Sequence, residues 1–282
     1  MPNHSYGLPF EKALRLLFEN YPYQYRKMTT MKTVEIIPIE NLPLISKGDK
    51  IGHLLVIAAE KQGTPIRNHD IIVVTHKIVS KSEGRIVNLD DVLPSEQAKE
   101  LAQKTRKDPA LVESVLRETK EIVRVGPNSI ITENYKGVVS ANAGIDKSNV
   151  EGENNVVLLP TDPDVSAQII RSEILKLTNN DVGVIISDTH GRPLRMGEIN
   201  IAIGLAGIKP TKDRRGEKDL FGYVLRVKQT AIADELASAA ELVIGQANEG
   251  VPVAIVRGYE YQKGENASSR DLNRPKETDL FR

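Results

Sequence analysis

Apolar residues recur along this chain in two rhythms. Unbroken runs dominated by β-branched residues, DIIVVT at 70–75 and VGVIIS at 182–187, predict strands covered on both faces. Shorter apolar stretches at 34–39, 156–159 and 253–256 predict further strands. Three more, at 122–125, 130–133 and 138–141, are spaced by the turn signals Gly126-Pro127-Asn128 and Tyr135-Lys136-Gly137, the mark of short antiparallel strands. Helical spacing appears at 50–62, 95–105, 109–119 and 229–243, and in a segment running to about Leu177 that Asp162 or Asp164 can cap. Units of strand and helix thus surround a central run of short strands. That order predicts an α+β protein with mixed sheets and flanking helices.

The two ends differ from the middle. Residues 1–30 carry a helical pattern of Phe10, Leu14, Leu17 and Phe18 and read as an N-terminal extension, with Met28 or Met31 as an alternative start. Residues 31–258 read as one domain. Residues 259–282 read as a polar tail expected to be poorly ordered on its own.

The 282 residues are enough for one large domain or two small ones. Lys plus Arg and Asp plus Glu both number 38, so a formal net charge of zero gives no global attraction to nucleic acid or to an anionic membrane, and neither is expected as a partner. The absence of cysteine excludes disulfides, thiolate nucleophiles and Cys-based zinc sites. The five histidines are scattered, so a metal here is expected to be a hard cation on oxygen ligands. No apolar run is long enough to span a bilayer and no signal peptide is evident, so the expected compartment is the cytoplasm.

Five segments could carry chemistry. At 182–192 (VGVIISDTHGR) a buried strand delivers Asp188 and Thr189 to its carboxyl end, where open α/β sheets bind ligands. A carboxylate beside a hydroxyl suits a hard cation, although Asp188 could equally cap a turn. At 138–150 (VVSANAGIDKSNV) small residues lead to Asp146, Ser148 and Asn149, either a set of oxygen ligands or a polar turn. At 75–85 (THKIVSKSEGR) Lys77, Lys81 and Arg85 could hold phosphates or form a solvated basic turn. At 192–215 Arg192, Arg195, Lys209, Lys212, Arg214 and Arg215 flank the Gly-rich stretch 203–207, which suits an anionic substrate or a plain strand with basic edges. At 244–252 (IGQANEGVP) Gly245 and Gly250 frame Gln246, Asn248 and Glu249, or simply end the preceding helix. There is no P-loop, GxGxxG fingerprint, GxSxG elbow or kinase signature, so a nucleotide would bind outside those motifs.

Taken together, these segments resemble the coenzyme F420-0:L-glutamate ligase family. The likeness runs from about Thr33 to Arg257. It is carried, in order, by IENLPLI at 39–45, VTHKIVSKSEGR at 74–85, NAGIDKSN at 142–149, LLPTDPD at 158–164, SDTHGRPLR at 187–195, AIGLAG at 202–207 and PVAIVRG at 252–258. The resemblance implies an intertwined homodimer with the F420-0:gamma-glutamyl ligase-like fold. It implies ligation of L-glutamate to coenzyme F420-0, then γ-linked addition of further glutamate, with GTP phosphorylating the carboxylate and GDP and phosphate released. It also implies two divalent cations, Mg or Mn, with potassium as a monovalent companion. By the same resemblance, Asp146 and Asp188 would be catalytic and hold the first cation, and Thr189 and Gln246 would help hold the second. The GTP site would be lined by Leu42, Pro43, Leu44, Ile45, His76, Lys77, Lys81, Asn149, Ile244, Gly245, Gln246, Ala247, Asn248, Glu249, Gly250 and Val251. The pattern departs at Gln246, where some relatives carry Glu. Residue spacing alone leaves open a metal-dependent nucleotide phosphohydrolase, a non-enzymatic GTP-binding module and an amide ligase with another acceptor.

Overall fold

A computed structural model describes residues 33–280; the expected N-terminal helix, the 1–30 extension and the alternative starts lie outside the described residues. The unbroken apolar runs form the middle of a five-stranded sheet. β1 (Glu35–Pro38), β2 (Ile71–Thr75), β8 (Gly183–Arg192), β9 (Arg195–Ala206) and β12 (Val253–Arg257) lie in the order β1-β12-β2-β8-β9. β2 and β8 run parallel and the other neighbours antiparallel. Helices cover both faces. Ile72, Val74, Val184, Ile186 and Ile255 pack with α1 (Ile51–Gln62) and α5 (Pro163–Thr178), while Ile71, Val73, Ile185, Ala254 and Val256 pack with α6 (Ile232–Ile244). Covering on both faces is why these strands carry no polar alternation.

The expected short strands make a second sheet, β4 (Thr119–Gly126), β5 (Ser129–Asn134) and β6 (Val139–Ala141), all antiparallel. Ile130 on its inner face packs with Ala98, Leu101 and Ala102 of α3 (Glu96–Thr105) and Val112 of α4 (Pro109–Glu118). β3 (Ile86–Asn88) pairs with β7 (Asn155–Val157), and β10 (Lys212–Asp213) with β11 (Gln229–Thr230). The molecule is therefore α+β with mixed sheets and flanking helices. No helix among the described residues is long and apolar enough to cross a membrane.

Several local expectations change. The basic segment after β2 is a helix, α2 (His76–Glu83), ended by Gly84 in the left-handed region at φ 74°. A parallel pair cannot be closed by a tight turn, so the chain must leave β2 by a crossover. The strand read as ending near Asp188 and Thr189 continues as β8 to Arg192, because β9 pairs with it as far as Arg195 opposite Arg192. Helix α6 starts at Ile232, three residues later than its periodicity indicated, because Gln229 and Thr230 pair with β10. Asp162, rather than Asp164, caps α5, accepting the Val165 N–H at 3.3 Å.

Asp164 instead joins elements. Its carboxylate accepts from the Leu205 N–H at 2.9 Å, the Ser268 hydroxyl at 2.6 Å and the Ser269 N–H at 3.1 Å. Beside it Gly204 packs on Pro163; a Cβ at Gly204 would stand 2.4 Å from the Pro163 carbonyl carbon. The Gly-rich stretch of β9 thus serves close packing. The polar segment after Gly258 lies against the domain: Tyr259, Tyr261 and Leu272 pack on the α6 side of the sheet. Arg171 of α5 reaches the same segment, donating to both Glu265 carboxylate oxygens at 3.0 Å, to Asp181 at 2.7 Å and to the Val182 carbonyl at 3.1 Å.

Candidate functional site

The parallel register of β2 and β8 builds the site. Thr75 stands opposite Ser187, so the residues that follow, His76 at the start of α2 and Asp188 in β8, emerge together at the carboxyl edge of β2. His76 Nε2 lies 3.2 Å from Asp188 Oδ1, and His190 Nε2 lies 3.1 Å from Asp188 Oδ2. Asp188 is buried. Burial alone would raise its carboxyl pKa, but the charge of His76 and the hydrogen bond from His190 outweigh it and hold the group well below the usual carboxylate range. Asp188 is therefore an anion held ready inside the protein.

β8 and β9 pair Thr189 with Asn200. The Thr189 hydroxyl lies 2.8 Å from Asn200 Oδ1 and 3.1 Å from Gln246 Oε1, and it can donate its one proton to either. Gln246 Nε2 donates to Asn200 Oδ1 at 3.4 Å and to the Glu241 carboxylate.

The segment around Asp146 closes over helix α2. Lys77 Nζ lies 2.8 Å from Asp146 Oδ2 and donates to Ser148 Oγ at 2.5 Å. Asp146 also accepts the Ser148 N–H at 2.7 Å. Burial opposes ionisation of Asp146, yet Lys77 and Ser148 prevail and lower its pKa. One turn on, Lys81 donates to the Asn149 carbonyl at 2.7 Å, and the Asn149 amide reaches the Ala247 carbonyl at 3.0 Å. Burial, then the charge of Lys77, lower the Lys81 pKa. After α6 the chain turns at Gly245, where φ is 73° and a side chain would collide with Glu249. The Glu249 carboxylate folds back onto the Ala247 N–H at 2.8 Å.

Two cavities meet at this point. The smaller, of about 240 Å³, is lined by all the residues expected at the nucleotide site except Asn248, joined by Thr75, Ile78, Ser187, Asn200 and Pro252. The larger, of about 1060 Å³, is lined by residues of the β4-β5-β6 sheet, the Asp146 segment and the β8–β9 hairpin. Asp188, Thr189 and Gln246 belong to the walls of both, while Asp146 lines only the larger. Of the basic residues at 192–215, Arg192 alone lines either of these cavities; Arg214 and Arg215 pair with Glu217 and Asp213.

Asn200 is the residue that sequence reasoning missed. It is buried at 2% exposure, and the one available signal was an amide inside the apolar alternation of INIAI. Among the described residues no three or more His, Asp or Glu side chains make a ready metal cage. The donors at hand are two carboxylates, a hydroxyl and amide oxygens. That set fits Mg or Mn, which commonly take one or two carboxylates and complete their shell with water and phosphate.

A family profile described as F420-0:Gamma-glutamyl ligase matches residues 40–258. A protein of Methanocaldococcus jannaschii named coenzyme F420:L-glutamate ligase is 50% identical over 251 residues, 89% of this chain and 98% of that protein. Proteins of the same name from Methanothermobacter thermautotrophicus and Methanosarcina mazei are 46% and 40% identical, over 88% of this chain and 99% and 95% of their own lengths.

Proposed function

The chain belongs to the F420-0:gamma-glutamyl ligase family, and on that premise we propose that it joins L-glutamate to coenzyme F420-0 with GTP as the phosphoryl donor. The observation that carries this reading is the wall of Asp188, Thr189 and Gln246 shared by two cavities. A ligase must bring a nucleotide's γ-phosphoryl group and an acceptor's carboxylate to one point from two sides, and the shared wall is such a point.

The nucleotide enters the smaller cavity. Its phosphates face Lys77 and Lys81, one helical turn apart on α2, together with the amino end of that helix. Asp146 and Asp188 would hold one divalent cation, and Thr189 and Gln246 would help hold a second. When bound, such ions neutralise phosphate charge and orient the transferring group. A carboxylate oxygen of F420-0 attacks the γ-phosphorus, the bond to GDP breaks and an acyl phosphate forms. The α-amine of L-glutamate then attacks the acyl carbon, and phosphate leaves as the amide forms. The protein's part is positioning and fixed charge, which supply most of the acceleration in phosphoryl transfer. Activation of the new γ-carboxylate would extend the chain by a further glutamate.

The exposed Leu194 and Met196 at the β8–β9 turn, 91% and 94% accessible, support association of two copies into a homodimer. Light scattering that gives a monomer at micromolar concentration would refute that part.

Mass spectrometry of F420-0 after incubation with the protein, GTP, Mg and L-glutamate tests the reaction. The expected product is heavier by one or more glutamyl residues and absent without GTP. Asp188→Asn and Asp146→Asn should each lower the rate about 100-fold or more with the fold retained by circular dichroism, and Asp188→Asn should also lower the melting temperature, because His76 and His190 lose their carboxylate. GTP loss with unchanged acceptor would overturn the assignment in favour of hydrolysis.

A further inference from the structure

The larger cavity carries groups that the nucleotide and its cations leave unused. Its far wall is the β4-β5-β6 sheet, where Arg124, Ile131 and Ala141 stand opposite one another in a cross-strand row. Opposed residues share a face of the sheet. Val123 and Arg124 are adjacent in sequence, and in a regular strand they would point to opposite faces. Both line the cavity, because the β4–β5 register shifts between Ile122 and Arg124. Such a bulge re-aims a side chain, and bulges are enriched beside active sites.

The Arg124 side chain is exposed and forms no ion pair or hydrogen bond among the described residues. Two positions before Ile131, on the same face, Ser129 carries a buried hydroxyl without a partner. The other guanidinium on this wall is engaged: Arg192 donates to the carbonyls of Met196 at 2.5 Å and Gly197 at 3.3 Å. Acids line the cavity as well. Asp146 and Asp188 sit at the end assigned to cations, with Glu198 and Asp279 elsewhere on the wall.

We infer that Arg124, assisted by Ser129, binds a carboxylate of the acids that enter the larger cavity to be ligated. The inference rests on the ligation reading above. The reacting carboxylate must lie against Asp188, Thr189 and Gln246. An incoming amino acid with two further carboxylates, or an acidic deazaflavin, therefore needs a cation farther along the wall. A planar guanidinium beside a hydroxyl matches a carboxylate in shape and hydrogen bonding. The same chemistry serves either source, the amino acid or the deazaflavin.

The test uses the full chain and the variants Arg124→Gln, Arg124→Lys and Ser129→Ala. KM is measured for GTP, L-glutamate and F420-0, and binding of each acid is followed by calorimetry. Arg124→Gln should raise KM about 10-fold or more for one of the two acids, with Arg124→Lys intermediate and Ser129→Ala smaller in effect. KM for GTP and the melting temperature should be unchanged. A rise confined to L-glutamate assigns Arg124 to the amino acid, and a rise confined to F420-0 assigns it to the acceptor. Unchanged KM for both, in a wild type that ligates, overturns the inference and leaves the proposed reaction standing. If the wild type ligates nothing, the proposed reaction fails first, and calorimetry still decides Arg124. Equal binding of both acids by wild type and Arg124→Gln, or binding of neither acid by the wild type, overturns the inference.

Discussion

Asn200 uses its backbone and its side chain for different ends. Its N–H donates to Glu241 Oε2 at 2.8 Å and its carbonyl accepts from the Ser238 hydroxyl at 2.7 Å, which fixes α6 to β9. Its side-chain oxygen is left to meet Thr189 and Gln246. Asn200→Ala keeps the first pair of contacts and removes the second. If a cation binds at Thr189 and Gln246 as proposed, kcat/KM should fall about 10- to 100-fold and half-saturating Mg should rise, the size of effect carried by residues that orient metal ligands. Steady-state rates across a Mg titration check it; an unchanged Mg dependence would show that Asn200 only packs. Asp146 and Asp188 were legible as acids at strand or turn positions within recognisable segments. The strap from Lys81 through Asn149 to Ala247 was not, because its contacts span 68 and 98 residues of sequence. Asn200 was hidden for a related reason: a lone amide in a strand acquires meaning only when the neighbouring strand supplies Thr189.

Elements were read well where burial decided them and poorly where pairing did. β2, β8 and β12 announced themselves by apolar runs. The polar end of β8 did not, because residues 188–192 take strand conformation from β9 rather than from their own propensity. The basic segment 76–83 gave no clear helical stripe, and its helix is evident only from the burial of His76, Ile78, Val79 and Ser80 in the fold. Besides its apolar packing, helix α5 is anchored through Arg171, whose guanidinium is buried against Asp181, Val182 and Glu265. Arg171→Met would strand the Val182 carbonyl, unpair Glu265 and leave Asp181 with Lys263 alone. Both carboxylates are partly exposed, so water offsets some of the loss, and we expect a destabilisation of about 2 kcal/mol in denaturant unfolding. KM for GTP should not move, since Arg171 lines neither cavity.

Across the whole molecule, the segment after Gly258 completes the apolar layer between the sheet and α6. Tyr261 reports this. Burial first, then the nearby Asp181 charge, push its phenol up to about 12, against about 10 in the unfolded chain. A raised pKa means stability that is intact below pH about 10 and lost as pH climbs through about 12, because there the unfolded chain has released a proton that the folded chain retains. Tyr261→Phe should therefore flatten the fall in unfolding free energy between those pH values, measured by denaturant titration at a series of alkaline pH. Equal slopes for the two proteins would mean that Tyr261 is as solvated folded as unfolded. Composition gave no hint of this role, because a polar segment reads as a free tail until the surface it covers is known.

The pairing of Thr75 with Ser187 divides the protein into slow and fast parts in evolutionary terms. Gain or loss of a single residue in β2 or β8 would exchange the two faces of that strand and separate His76 from Asp188, so length there is frozen. The β4-β5-β6 sheet already tolerates register shifts and shares few side chains with the central sheet. Descendants of this chain that change which acid they accept can therefore be sought by divergence in β4, β5 and β6, on an edge from Thr75 to Asp188 that stays fixed.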